Sequence, residues 1–234
     1  MLIKRFIHKN TDMHKKFTYI VTLLLLHICS YAQPSMKRSR IAFTAGLNTN
    51  DAYDGEFSYH YMLLPYLGIG SGIGYFNQWY NDYLPHGKAS GQWTSWKLSE
   101  SDKEIGKVYL RPSILLSTPS LFKLGKYAIS FQGECGAQIL IPHTGVYIDY
   151  FNYNTFGSKS KYKSTNKGEW IFWSVKGGVN LSFTDIAIGV GYGISNLDIY
   201  SSRRFINVEN VSLSDFYPEK RMTHSLFLCF MYSL

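Results

Sequence analysis

The sequence is poor in the residues that usually carry local site chemistry. It has three cysteines in 234 residues and no Cys-x-x-Cys or His-x-x-x-His pair. A locally encoded metal centre therefore has no support. His60, His86, His143 and His224 are scattered and read as lone polar residues. Charged residues make up only 17% of the chain, and no helical period stands out after residue 34. There is also no apolar run of the twenty or so residues that a membrane-spanning helix needs. The glycine-rich stretch GIGSGIG at 68–74 lacks a following Lys-Ser or Lys-Thr and opens no helix, which excludes a phosphate-binding loop. The formal net charge is +8, but about half of it lies in residues 1–33, where Lys4, Arg5, Lys9, Lys15 and Lys16 face Asp12 alone. The remaining excess is too small to point to nucleic acid.

What the first 33 residues do carry is an export pattern. Lys15 and Lys16 precede an apolar run at 17–28, and the small residues Ser30 and Ala32 flank Tyr31. A basic region, a short apolar core and a small-residue cleavage site read as a signal peptide, residues 1–33, with Met13 as the expected start. Cys29 falls inside it. Cys135 and Cys229 remain for the mature chain, residues 34–234, and are expected as free thiols on opposite faces of their strands.

After the leader the dominant signal is strict alternation. Eight strands are expected, at 39–48, 54–64, 66–78, 104–117, 126–141, 169–183, 185–197 and 221–234. In each, bulky apolar residues take one parity: Ile41, Phe43 and Leu47 in the first, Val108, Leu110, Ile114 and Leu116 in the fourth. The third and seventh are the most extreme. Leu67, Ile69, Ile73 and Tyr75 alternate with four glycines, and Ile186, Ile188, Val190, Tyr192 and Ile194 alternate with Ala187 and three more. The connections alternate too. Turns near 64–65, 118–125 and 183–185 are short, whereas 79–103, 142–168 and 198–220 are long.

A chain with this leader, eight alternating strands, three long loops and the terminal segment HSLFLCFMYSL resembles the small eight-stranded outer-membrane β-barrels of Gram-negative bacteria, the OmpA-like and PorT-like families. The resemblance is one of pattern over 39–234. Leu234 stands where such barrels usually end in Phe. It implies an all-β, antiparallel, up-and-down transmembrane barrel in the cell outer membrane. The apolar parity then faces lipid and the glycine parity faces the lumen. A soluble barrel would turn the glycine face to water, where Lys, Glu and Thr are the usual residues. Tyr66, Tyr75, Trp79, Tyr127, Tyr147, Trp170, Trp173, Tyr192 and Tyr232 suit interfacial girdles.

Two sets of site residues follow. On the lumen parity lie Arg40, Glu56, His60, Lys107, Tyr109, Arg111, Gln132, Glu134, Gln138, Lys176 and Asn180. Glu56 and Glu134 are expected to pair with Arg111 and Lys176, because unpaired buried charge is too costly to keep. In the loops, Trp79, Tyr80, Tyr83, Trp93, Trp96, Tyr150, Arg203 and Arg204 form a candidate binding surface, with aromatic packing that stiffens the loops as the competing reading. Outer-membrane lipid and lipopolysaccharide are the expected surroundings, a surface glycan or protein the expected loop ligand, and a monomer the expected state. No cofactor, metal or nucleic acid is expected. Some small outer-membrane barrels are lipid A deacylases or palmitoyl transferases. His224 and Ser225 sit near the C-terminus, but adjacent strand residues point to opposite faces. The deacylase spacing would place Ser at Leu226, and Ser212, Ser214, Asp215 and Glu219 offer no ordered triad. A non-enzymatic chain is expected, with a small channel or an export-machine subunit as further alternatives.

Overall fold

The computed structural model describes residues 37–79, 84–219 and 221–234; the leader at 1–33, with Met13 and Cys29, and loop residues Tyr80 and Tyr83 lie outside them. Eight long strands form one sheet: β1 (Ser39–Asn48), β2 (Ala52–Leu64), β3 (Leu67–Gln78), β4 (Gly106–Ser117), β5 (Tyr127–Leu140), β6 (Ile171–Phe183), β7 (Ile186–Ser195) and β8 (Thr223–Ser233). Each pairs antiparallel with its sequence neighbours. The sheet closes where β1 meets β8, in register from Arg40 with Ser233 to Asn48 with Ser225. The result is an eight-stranded up-and-down barrel, and closure leaves no unpaired edge.

The alternation read in the sequence sets the two faces. Phe43, Ile73, Leu110, Val175, Ile188 and Leu228 all point outward and are exposed, as are most large apolar residues of the strands. A continuous apolar belt around a closed barrel is far larger than the patches that soluble monomers expose. It is the surface of a transmembrane barrel, and strands of 10 to 14 residues are long enough to cross tilted. Cys135 lies on this outer face and Cys229 on the inner one.

Inside, the glycines make room. A Cβ at Gly70 would stand 2.7 Å from the Cα of His60, and one at Gly72 would stand 3.1 Å from the Glu56 carboxyl carbon. One at Gly74 would meet the Tyr109 ring, 2.7 Å from Cε2. The bare parity of β3 thus faces the bulky polar groups of β2 and β4, and the narrow lumen holds both only because one side has no side chains.

The long connections leave one end of the barrel and fold together. Thr144–Asn152 and Gly157–Thr165 form a hairpin, to which Ser95–Leu98 and then His86–Lys88 add as two more strands. Residues 198–219 lie against this four-stranded sheet with two short 3-10 turns, Arg203–Phe205 and Leu213–Asp215. Trp96, Leu98, Val146, Ile148, Val208 and Leu213 form a dry core between them, continuous with Phe76, Tyr109 and Phe172 at the barrel mouth. The loops are therefore a folded cap. The segments 79–103 and 142–168, expected as long loops, contain these strands. Strands of three or four residues carry too little alternation to be seen. The hairpin does carry it, with Val146, Ile148 and Tyr150 facing in.

Candidate functional site

The lumen is crossed by one polar cluster at mid-height. Arg111 donates from Nε to Glu56 Oε2 and from Nη2 to Glu56 Oε1, both at 2.8 Å. Its Nη2 also donates to Glu134 Oε1. Lys176 Nζ lies 3.3 Å from Glu56 Oε2, and the Tyr109 hydroxyl donates to the same oxygen at 3.1 Å. His60 Nε2 stands 2.9 Å from Ser113 Oγ and 3.3 Å from Glu134 Oε1. Glu56 and Arg111 are each 1% exposed. Charges that deep are tolerable only with dense pairing of this kind, and a bidentate Arg–carboxylate fork is the strongest form of it. Two cavities flank the cluster, of about 20 Å³ beside Arg40 and about 30 Å³ beside Gln138. Each has room for roughly one water.

The structure brings Glu56, His60, Arg111, Glu134 and Lys176 into contact. Arg40 lies nearer the short-turn end and lines the smaller cavity. Lys107 does not reach the carboxylates. It sits at the loop end, where Nζ donates to the His143 carbonyl at 2.6 Å and to Thr144 Oγ1 at 2.5 Å, so its parity is right but its height along β4 is wrong for the cluster. Gln132 and Asn180 bond each other instead, Nδ2 to Oε1 at 2.9 Å.

Most of the loop set is not surface. Trp96 and Tyr150 are each 1% exposed and form part of the cap core, so neither offers surface. Trp93 is half-buried and packs on that core, its ring 6.3 Å from Tyr150. Arg203 is buried and donates to the Asp102 and Glu104 carbonyls at 2.6 and 3.1 Å. Arg204 pairs with Asp198 and donates to the Pro218 carbonyl. Among the described residues of this set, only Trp79 stays open, stacked on Tyr53 at 5.8 Å on the barrel rim. Tyr147, assigned to the girdle, belongs to the cap sheet. The competing reading, aromatic packing that stiffens the loops, describes most of these residues. What the reading missed is the other parity of the same strands: Tyr147, Asp149 and Phe151 face away from the cap core, paired across the hairpin with Tyr162, Ser160 and Ser158.

A hydrolase arrangement does not form among the described residues. His224 Nδ1 bonds the Tyr192 hydroxyl on the outer rim, whereas Ser225 faces inward. His60 and Ser113 do meet, but Glu134 touches the same ring nitrogen as the hydroxyl, and a triad needs the acid on the other one. Among the described residues no group of three or more His, Cys, Asp or Glu could hold a metal ion.

No family model matches the chain, and no curated protein sequence does. Solved structures that resemble it include a de novo designed transmembrane β-barrel, with a TM-score of 0.40 and 12% identity over 86% of this chain and 99% of that one. Neisserial surface protein A gives 0.38 and 8%, over 84% and 95%. The outer membrane enzyme PagL gives 0.37 and 9%, over 83% and 99%. At these values the likeness is one of chain path, and the fold stands on the strand pairings themselves.

Proposed function

We propose that the chain is an integral outer-membrane barrel of a Gram-negative envelope, with a plugged lumen and a non-enzymatic role, structural or surface-binding, carried by its cap. The observation behind this reading is the division of the molecule. An apolar belt surrounds a barrel whose centre is filled by paired charges, and every long connection leaves from one end to build a single folded unit. Barrels of this class have short periplasmic turns and long external loops, which orients the cap outward among lipopolysaccharide. The outward-facing His224 and inward-facing Ser225 support the non-enzymatic reading.

The turn at 153–156 supplies the test. Phe156 sits there at φ 52° and is 94% exposed. An epitope inserted after Thr155 should be labelled by antibody on intact cells, and labelling only after permeabilisation would reverse the orientation. In planar bilayers the protein should give no steady conductance. A regular single-channel step would replace the plug with a pore. Overexpression should leave lipid A mass unchanged, and a mass shift abolished by His224→Ala would make the barrel an enzyme.

A further inference from the structure

The outer face of the cap sheet is the least explained surface of the molecule. Its cross-strand pairs are Tyr147 with Tyr162, Asp149 with Ser160 and with Lys97, and Phe151 with Ser158 and Ser95. Tyr147 and Tyr162 are about half exposed, and their rings meet at 5.1 Å. Tyr162 is held flat. A Cβ at Gly145 would lie 2.5 Å from its Cε2, so the ring covers bare backbone, and its hydroxyl is 3.3 Å from His143 Nε2. Phe151 lies under the Lys97 ammonium at 5.7 Å. Between the two aromatic positions, Ser160 Oγ donates to Asp149 Oδ1 at 2.5 Å. Four residues separate Tyr147 from Phe151, about 13 Å at the rise of a strand.

From this arrangement we infer that the outer face of the cap sheet binds a neutral oligosaccharide. The inference rests on the surface-binding reading above and names its site and ligand class. A pyranose has an apolar C–H face and a rim of hydroxyls. Tyr162, flat over Gly145, takes a face at one end, Phe151 beneath Lys97 gives an apolar contact at the other, and Asp149, Ser160 and Lys97 between them present acceptors and donors to the rim. Lys97 is balanced by Glu100, 3.4 Å from its Nζ, whereas Asp149 accepts from the neutral Ser160 hydroxyl and keeps its negative charge. That residual negative charge repels an acidic polymer and selects a neutral one. A protein partner would be anchored by side chains inserted into pockets. Here the rings lie on a sheet and alternate with polar groups.

Affinity electrophoresis of the folded, full-length mature protein in detergent tests this, in gels containing soluble starch, laminarin, dextran or hydroxyethylcellulose, with heparin as the acidic comparison. At least one neutral polymer should retard the protein. Tyr162→Ala and Phe151→Ala should each weaken that retardation by about tenfold. Both variants should keep the heat-dependent gel shift of a folded barrel. No retardation by any neutral polymer overturns the inference, and so does retardation that the variants leave unchanged. Retardation by heparin alone overturns the ligand class while a binding role for the cap stands. A concentration-dependent dimer lost in Tyr162→Ala overturns it in favour of a second copy of the chain. Failure of the surface reading itself shows separately, as an epitope at 155 hidden on intact cells.

Discussion

Arg111→Met removes the centre of the lumen cluster. In the native protein the guanidinium binds both oxygens of Glu56 and one of Glu134, with Arg111 and Glu56 each 1% exposed. The substitution leaves two buried carboxylates. Glu56 keeps Lys176 Nζ at 3.3 Å and the Tyr109 hydroxyl, whereas Glu134 keeps only His60 at 3.3 Å. Breaking a buried pair from one side costs about 3–5 kcal/mol, and orphaning a second carboxylate puts this case at the upper end. Neutralising Glu134 as well reverses the sign of the change. Arg111→Met with Glu134→Gln leaves Glu56 paired with Lys176, removes the uncompensated charge and should recover most of the loss, because the native cluster contributes little beyond its own desolvation. Urea unfolding in lipid vesicles, followed by tryptophan fluorescence, measures both variants. A loss below about 1 kcal/mol for the single variant, the range of an exposed ion pair, would refute the reasoning. So would a double variant no more stable than the single one.

Other outcomes follow from the same geometry. Gly70→Ala should cost about 1–3 kcal/mol, because its Cβ meets the His60 backbone, which cannot give. Lipid-facing Gly55→Ala, with nothing within 4 Å, should stay within about 0.5 kcal/mol in the same assay. Trp96→Ala should cost the cap about 3–5 kcal/mol, so proteinase K should cut within 84–105 while the barrel keeps its gel shift; an uncut cap would contradict the core assignment. At the cap surface, Ser90 Oγ donates to Glu209 at 2.6 Å and holds that carboxyl below its ordinary value. Its stabilising contribution is therefore present above the unfolded pKa of about 4.3 and lost as pH falls through the lowered folded value. Ser90→Ala should raise the Glu209 titration seen by carbon NMR, and a curve that does not move would remove the hydrogen bond as the cause.

The barrel was legible because period two admits one reading over ten or more residues. A strand expected at 54–64 spans Ala52–Leu64, and one expected at 104–117 spans Gly106–Ser117. The lumen parity was equally legible, since Glu56, Arg111, Glu134 and Lys176 had nowhere else to place their charge. Height along the strand was not, which is why Lys107 was misplaced. The cap was legible least. Its sheet unites segments some fifty residues apart, such as Trp96 with Tyr150, and nothing local announces that pairing. Without it, Trp96 and Arg203 read as exposed loop residues. With it, they are buried, and the open face passes to Tyr147, Phe151 and Tyr162.

The central claim is that the apolar parity faces lipid and the charged parity fills a closed lumen. Gel mobility of the mature protein from membrane fractions, with and without boiling in SDS, tests it most directly. The predicted result is an outer-membrane protein that migrates as a compact species unheated and shifts on boiling. A soluble periplasmic protein with no shift would contradict the claim and turn the two faces of every strand around.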